Sequence, residues 1–332
     1  MPSLSIVIPV YNEPKWLPVA AADVVRAQAA SPFQTAEIII VDDGSDEATR
    51  DAIGALDLAI PTKIIRHPEN RGRAAARRTG VEASGHDYIL FVDSRVSIQE
   101  GSLTFVAGRI ADPDQQVWNA HVTIDDARNP YARFWQIIAE LAWPDYFSGD
   151  ERVQYGSEDY DRYPKGTTCF FAPRRDLLEA MGESSSYYTE SRKGNDELFL
   201  RDLVQRHRFN IAPEFACLYR ARGSFTGFVR HTHHRGQVFV DGFLRPGVRF
   251  FPALVAFFPA SAIAVAAAVR YPGKAARLLI ASPLLMALGG VAKRRSGRDI
   301  RVLASLGPPW LLAFATGLWR GAVLLLRSRA RK

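Results

Sequence analysis

The sequence contains only two cysteines, Cys169 and Cys217, and they lie far apart in the chain. They lack the close spacing of metal ligands, so no zinc-type centre is indicated. We expect both to be reduced residues of the core, with a single disulfide as the alternative.

Several signals for targeting and for other functional classes are also missing. The N-terminus has no basic start and carries Pro9 within its first apolar run, so no secretory signal is predicted and the first part is expected in the cytosol. The fingerprint Gly-x-Gly-x-x-Gly does not follow the first predicted strand, which disfavours a nicotinamide-binding enzyme. There is no internal repeat and no low-complexity tract.

The net charge is +7, from 42 lysines and arginines against 35 aspartates and glutamates. No nucleic-acid recognition motif accompanies this surplus. The basic clusters, such as Lys293-Arg294-Arg295, lie beside apolar segments, where such clusters commonly face anionic lipid. We therefore predict membrane lipids, and no nucleic acid, as partners.

Three apolar segments, 250–269, 275–292 and 302–326, follow the soluble part. A span of the hydrocarbon core takes about 20 apolar residues. The third segment contains Pro308-Pro309 and Arg320, which are costly in hydrocarbon, and spanning would export the basic C-terminus. We favour two spans with a re-entrant or interfacial third segment. Three spans is the main alternative, and burial of all three helices in a soluble domain is the lesser one.

Short apolar runs alternate with helical patterns in the first 115 residues, which predicts a mostly parallel sheet covered on both faces. Predicted strands cover 4–10, 38–41, 62–66 and 88–92. The pattern then loosens, with strands predicted at 118–124 and 166–172, helices at 131–143 and 196–207, and a loop at 149–164. The carboxyl ends of parallel strands meet at one crevice, so Asp42, Asp43 and Asp93 are expected around a common ligand.

Four segments occur in a fixed order: SIVIPVYNE at 5–13, IIVDDGS at 39–45, NRGRAAARRTG at 70–80 and FVDS at 91–94. Together they resemble the family 2 glycosyltransferases, which have the α/β GT-A fold. The resemblance covers residues 4 to about 240. It implies a GT-A domain at 1–240, with a nucleotide half at 1–115 and an acceptor half at 116–240. The membrane region would be 250–326.

The resemblance implies that acids after the first two strands hold the base and ribose of a nucleotide-sugar, for which carboxylates are good acceptors. The glycine-led loop before the third helix would meet the phosphates, with Arg77 as the arginine of the family pattern. The candidate donor-binding residues are Pro9, Tyr11, Glu13, Asp42, Asp43, Arg71, Gly72, Arg77, Asp93, Ser94 and Arg95.

The family's Asp-x-Asp motif, which anchors a divalent cation and the donor diphosphate, reads Asp93-Ser94-Arg95 in this chain. An arginine cannot ligate a metal. Mg²⁺ or Mn²⁺ nevertheless stays the predicted cofactor, and Asp93 would hold it together with a residue from elsewhere. The alternative is that Arg95 supplies the positive charge and no metal is needed.

The family's acceptor motif matches Asn195-Asp196-Glu197, which makes Asp196 the candidate general base and Glu197 the second candidate. Helix capping is the structural alternative for Asp196. Further on, His231, His234 and Arg235 stand where processive members carry Gln-x-x-Arg-Trp, and they are expected to close over the diphosphate. Loss of the tryptophan motif predicts addition of one sugar at a time.

These features predict an inverting glycosyltransferase at the cytosolic face of the cytoplasmic membrane. It would move a single sugar from a nucleotide-sugar, expected to be UDP-linked, to a lipid-linked or membrane-presented glycan in surface-polysaccharide synthesis. The alternatives are transfer to polyprenyl phosphate, and a scaffold that keeps the nucleotide fold without turnover.

Overall fold

The structure is a computed structural model, and it describes residues 2–149, 151–183 and 198–329. Its strands are β1 (Leu4–Val10), β2 (Ala36–Asp42), β3 (Thr62–Arg66), β4 (Tyr88–Val92), β5 (Val96–Ile98), β6 (Val117–Asn119), β7 (His121–Ile124), β8 (Val153–Tyr155), β9 (Cys169–Pro173), β10 (Phe209–Ile211) and β11 (Ala216–Tyr219). Its α-helices are α1 (Leu17–Ala29), α2 (Glu47–Gly54), α3 (Arg73–Ala83), α4 (Ser102–Ala107), α5 (Pro130–Ala142), α6 (Pro144–Ser148), α7 (Arg174–Glu183), α8 (Leu198–Leu203), α9 (Phe225–Phe243), α10 (Phe251–Arg270), α11 (Pro272–Ala292) and α12 (Gly297–Arg329).

The main sheet has eight strands in the order β3-β2-β1-β4-β9-β6-β10-β8. The four N-terminal strands are parallel, with Val7 opposite Ile39 on one side and Phe91 on the other. β9 runs antiparallel between β4 and β6, and β8 is antiparallel at the edge. A second sheet has the order β5-β11-β7. The prediction of an α/β fold with a mostly parallel sheet is confirmed.

The N-terminal strands are continuous apolar runs because both faces of the sheet are buried. Ile6 and Ile8 point into one core with Ile38 and Ile40. Val7 points into the opposite core together with Ile39 and Val41. This arrangement fixes the sheet register, so the residue that follows each strand is delivered to a defined position at the carboxyl edge.

Helix α3 packs closely on β1 through Gly80. A Cβ atom added at Gly80 would lie 2.3 Å from Cγ1 of Val7, whose side chain is fully buried. The absence of a side chain at Gly80 therefore sets the distance between helix and sheet.

We expect Gly80→Ala to destabilise the chain by about 1–3 kcal/mol through overpacking against Val7. Gly54→Ala is the matched control, because nothing lies within 4 Å of a Cβ there and the change favours the helix by up to about 1 kcal/mol. Thermal unfolding of the full chain measures both. Equal melting temperatures for the two variants would contradict this description of the contact.

Two sequence-based expectations need correction. The single strand predicted at 118–124 is two strands, because Ala120 N donates to Cys169 O in one sheet and His121 N donates to Phe215 O in the other. The loop predicted at 149–164 contains β8, which pairs with β10, and a 3-10 turn at Tyr160–Arg162. In both segments, long-range pairing decides the local structure.

The chain forms two compact units. Among the described residues, the first contains 2–124, 143–183 and 198–220, and the second contains 125–142 and 221–329. Helix α9 therefore belongs with the C-terminal helices. The predicted boundary between the GT-A domain and the membrane region, at about residue 240, stays a prediction. In the first unit, Cys169 and Cys217 are free and buried, and their mutual hydrogen bond and burial raise the pKa of the Cys169 thiol.

In the second unit, α10, α11 and α12 are long and apolar enough to cross a membrane. Only 6% of the most apolar window is buried in α10 and in α11, against 33% in α12. The difference arises because α12 packs on α9, where Gly236 and Gly317 allow the helix backbones to approach closely. α12 continues through Pro308 and Pro309. Two spans with a re-entrant or interfacial third segment stays our prediction.

Candidate active site

The candidate site lies at the carboxyl edge of the main sheet, where β1, β2 and β4 end. Val10 pairs with Asp42 across β1 and β2, and Asp43 N donates a hydrogen bond to Val10 O at 2.9 Å. Asp93 follows β4 directly. Neighbouring parallel strands thus bring the three predicted acids to one edge, as expected for a ligand crevice of this fold class.

Asp43 is the most heavily bonded of these acids. Its Oδ1 accepts from Arg71 N at 2.8 Å and lies 2.7 Å from His67 Nδ1, and its Oδ2 accepts from Gly72 N at 2.8 Å. The residue is 3% exposed. Because three groups converge on one buried carboxylate, Asp43 holds the loop between β3 and α3 against the end of β2.

Asp42 is fully buried, and its carboxylate also accepts hydrogen bonds from other parts of the protein. Its Oδ1 accepts from Ser45 N at 2.9 Å, and its Oδ2 accepts from Arg66 Nε at 2.9 Å. The carboxylates of Asp42 and Asp43 are therefore buried beneath the carboxyl edge of the sheet, where they bind other groups of the protein. Direct contact of either acid with the donor base or ribose stays a prediction.

Gly44 brings the two loops together. Its φ is +72°, and an added Cβ would lie 2.5 Å from the backbone carbon of Glu69, so only glycine fits here. Beyond it, Asp46 caps α2 by accepting from Thr49 N. The Ser45 hydroxyl accepts a hydrogen bond from Asn12 N at 3.2 Å.

We expect Asp43→Asn to loosen the loop after β3 even without ligand, because an amide cannot accept from both flanking N–H groups. Hydrogen bonds to a charged group contribute about 1.5–3 kcal/mol, so amide hydrogen exchange at Arg71 and Gly72 should be at least about tenfold faster. Asp51→Asn, an exposed change on α2, should leave it unchanged. Unaltered exchange in Asp43→Asn would show that the carboxylate does not hold the loop.

Two further acids of the site are engaged by arginines. Asp93 Oδ1 lies 2.5 Å from Nη2 of Arg77, which is fully buried with its guanidinium 5.8 Å from the Phe91 ring. Glu13 Oε1 accepts from Arg95 Nε at 2.6 Å, and both side chains are largely buried. The predicted residues Glu13, Arg77, Asp93 and Arg95 are thus joined as two ion pairs.

These pairs bear on the predicted Mg²⁺ or Mn²⁺. A site for either cation needs several oxygen ligands, and two carboxylates flanking the diphosphate would serve. In this chain Asp93 is paired with Arg77 and Glu13 with Arg95. Arg95 also occupies the position of the second aspartate in the family motif. Within residues 2–149, 151–183 and 198–329, no group of three or more acidic, histidine or cysteine side chains could hold a metal. These residues do not fit a divalent cation.

The accessible rim of the edge is mainly basic. Tyr11 is 48% exposed, and Arg66, Arg71 and Arg73 reach solvent, whereas Gly72 is partly buried. Ser94 is buried, and Pro9 lies inside β1 opposite Val41. Exposed arginines thus lie beside buried carboxylates at this edge. The exposed guanidinium groups suit an anionic ligand.

The predicted acceptor residues are distributed differently. Asn195, Asp196 and Glu197 lie outside the described residues. His231, His234 and Arg235 lie on α9 in the second unit, where the His231 ring is 5.3 Å from the Trp135 ring.

Arg66, His67 and Arg220 were not identified from the sequence. Arg66 and His67 contact the acidic pair, and Arg220 O accepts from Arg95 Nη1 at 3.2 Å. One signal was available for the first two, because Arg66 ends β3 and His67 follows it, and the carboxyl end of β3 must lie beside that of β2 in a parallel sheet. Arg220 comes from a distant segment without such a signal.

Comparison with known proteins identifies the family. The model of glycosyl transferase family 2 matches residues 5–182, which include β2, β3 and β4 and the acids at the ends of the strands. The chain belongs to this family. Membership of a glycosyltransferase family agrees with the resemblance found in the sequence.

Curated relatives agree with this assignment. Pre-mycofactocin glycosyltransferase of Mycobacterium tuberculosis is 25% identical over 99% of this chain, which spans 64% of that protein's length. Bactoprenol glucosyl transferase of Shigella phage SfV is 31% identical over 27% of this chain and 29% of its own.

A solved structure supports the GT-A fold. Mannosyltransferase PcManGT of Pyrobaculum calidifontis, in complex with GDP-Man and Mn²⁺, has a TM-score of 0.56 at 16% identity. The match covers 96% of this chain and 87% of the other. At this identity the likeness establishes the fold alone.

Proposed function

We propose that this glycosyltransferase transfers one sugar, with inversion, from a nucleotide-sugar to a lipid-linked or membrane-presented glycan acceptor in surface-polysaccharide synthesis. The observation that carries the proposal is the carboxyl edge, where Glu13, Asp42, Asp43 and Asp93 lie among arginines. This combination suits a ligand that has hydroxyl groups at one end and a diphosphate at the other.

The donor is proposed to be UDP-linked, as expected from the sequence. A guanosine donor is the nearest competitor, since the structural neighbour is described with GDP-Man. The basic rim, Arg66, Arg71 and Arg73, would attract the diphosphate of either donor, because phosphate contacts with arginine do not depend on the base.

The acceptor is proposed to be presented at the membrane. Support comes from α10 and α11, whose apolar surfaces are largely uncovered within the described chain. Bactoprenol, named for the phage relative, is a polyprenol and so favours the alternative acceptor, polyprenyl phosphate. Pre-mycofactocin, named for the mycobacterial relative, is a second acceptor to test, because that relative matches nearly the whole chain.

The test combines binding and transfer. Thermal shift of the full chain against UDP, GDP, CMP and their sugars identifies the donor, because a ligand of the native state raises the melting temperature. The identified donor is then offered with a bactoprenol-linked glycan, polyprenyl phosphate or pre-mycofactocin. We expect product with the lipid-linked glycan. Binding without transfer or donor hydrolysis would support a catalytically inactive scaffold, and the absence of any nucleotide binding would overturn the proposal.

Asp196 is proposed as the general base that removes the acceptor hydroxyl proton during attack on the anomeric carbon. We expect Asp196→Asn to slow transfer by roughly 100-fold or more while nucleotide affinity changes less than about twofold. Glu197→Gln is the matched control and should retain transfer.

The reverse pattern would reassign the base to Glu197. A rate independent of both acids would favour polyprenyl phosphate as acceptor, because an ionised phosphate needs no base.

A further inference from the structure

We propose that Arg95 replaces the divalent cation, so that the donor diphosphate is bound by guanidinium groups and donor binding needs no metal. This inference rests on the proposed function, because it concerns the donor of the same site. It starts from the ion pairs at the ends of β1 and β4.

The acids at the ends of β1 and β4 are each paired with an arginine. Asp93 is neutralised by Arg77, and Glu13 is neutralised by Arg95. The four groups together carry no net charge, whereas a site with two free carboxylates would carry two negative charges. A divalent cation entering here would gain little from the acids and would be repelled by two fixed guanidinium groups.

Arg95 has donors left for a ligand. Of its five N–H groups, one on Nε serves Glu13 and one on Nη1 serves Arg220 O. No hydrogen bond from Nη2 to another residue occurs in the described part of the chain. The side chain is 19% exposed, so these remaining donors lie at the border of the site with solvent.

The position of Arg95 is fixed before any ligand arrives. Its backbone oxygen accepts from Arg220 N at 3.0 Å, and its guanidinium is held between Glu13 and Arg220 O. A planar guanidinium held in this way can meet two phosphate oxygens at little further entropic cost. Arg95 therefore acts as a binding residue for the diphosphate, and Glu13 as its positioning residue.

The test restores the acid of the family motif with Arg95→Asp and follows equilibrium binding of the nucleotide identified by thermal shift. Each protein is titrated after exhaustive chelation and again in millimolar Mn²⁺. For the natural chain we expect affinities that agree within about twofold. For Arg95→Asp we expect affinity in chelator to fall by about tenfold or more, with recovery in Mn²⁺.

Two controls keep the result interpretable. Arg78→Asp makes the same charge change on the exposed face of α3, where Arg78 pairs with Glu82, and should bind as the natural chain does in both conditions. Arg95→Gln removes the charge with less disturbance, should Arg95→Asp fail to fold, and should weaken binding without recovery in Mn²⁺.

The failures are distinguishable. If the natural chain binds nucleotide only with Mn²⁺, the metal-free site is overturned and the proposed function stands. If it binds no nucleotide in either condition, the proposed function itself fails. If Arg95→Gln binds as the natural chain does, Arg95 does not contact the diphosphate.

A separate observation in the second unit points to another anion site, and we propose that it binds the phosphate group of an anionic lipid. A surface cavity of about 360 Å³ is lined by Arg128, Arg298 and Arg301, with Ala127, Pro130, Val302 and Ser305. Guanidinium groups converging on one cavity favour a ligand that carries phosphate oxygens.

The acids near this cavity are engaged by another arginine. Asp299 forms two hydrogen bonds with Arg133, at 2.7 and 2.9 Å, and is buried. Asp126 also binds Arg133, at 3.1 Å. Arg298 is held by Asp126 O and is paired with the Asp126 carboxylate at 3.7 Å, whereas no ion pair of Arg128 or Arg301 occurs among the described residues. The cavity therefore keeps a net positive charge.

The test counts bound lipid on the full chain in detergent micelles by native mass spectrometry, using phosphatidylglycerol. We expect the double variant Arg128→Gln/Arg301→Gln to retain at least about fivefold less of this lipid than the natural chain. The control, Arg277→Gln/Arg327→Gln, removes the same charge from exposed positions on α11 and α12 and should retain it.

Equal losses in both double variants would overturn the site, since bulk charge would then explain binding. Displacement of the lipid by equimolar inorganic phosphate would assign the cavity to free phosphate and overturn the lipid assignment. Resistance to that displacement supports the lipid headgroup as the source.

Discussion

The buried carboxylate of Asp43 is the interaction on which the candidate site depends. A charge removed from water needs close partners, and Asp43 finds them in His67 and two backbone amides of the loop after β3. Gly44 makes this approach possible, because any side chain there would meet the backbone of Glu69. The loop that starts α3 is therefore fixed by the end of β2, and the arginines it carries are presented along the edge of the sheet.

The charges of the acids and arginines at this edge determine which ligand the site can bind. The acids are neutralised internally, by Arg66, Arg77 and Arg95, while Arg71 and Arg73 reach solvent beside them. In the mechanism that we propose, such a basic rim would attract an anionic donor without the help of a cation. The family's acidic motif and this chain's Asp93-Ser94-Arg95 would then be two ways of meeting the same diphosphate, one through metal and one through guanidinium.

The sequence was most informative where local pattern and tertiary environment agree. β1, β2, β3 and β4 are apolar because both of their faces are buried, so their positions and the acids after them could be predicted. The split of 118–124 into β6 and β7 could not, because it depends on partners some 50 and 95 residues away. The burial of Asp42 and Asp43 was also missed, since it depends on Arg66 and His67. The candidate base, Asp196, lies outside the described residues.

Hydrogen–deuterium exchange of the full chain, with and without a saturating nucleotide, can locate the nucleotide site. We expect protection at the carboxyl edge, in peptides covering 11–13, 42–46, 67–73 and 93–95, with little change at the opposite end of the same strands. Protection confined to other parts of the chain, with these four segments unchanged, would contradict this location of the site.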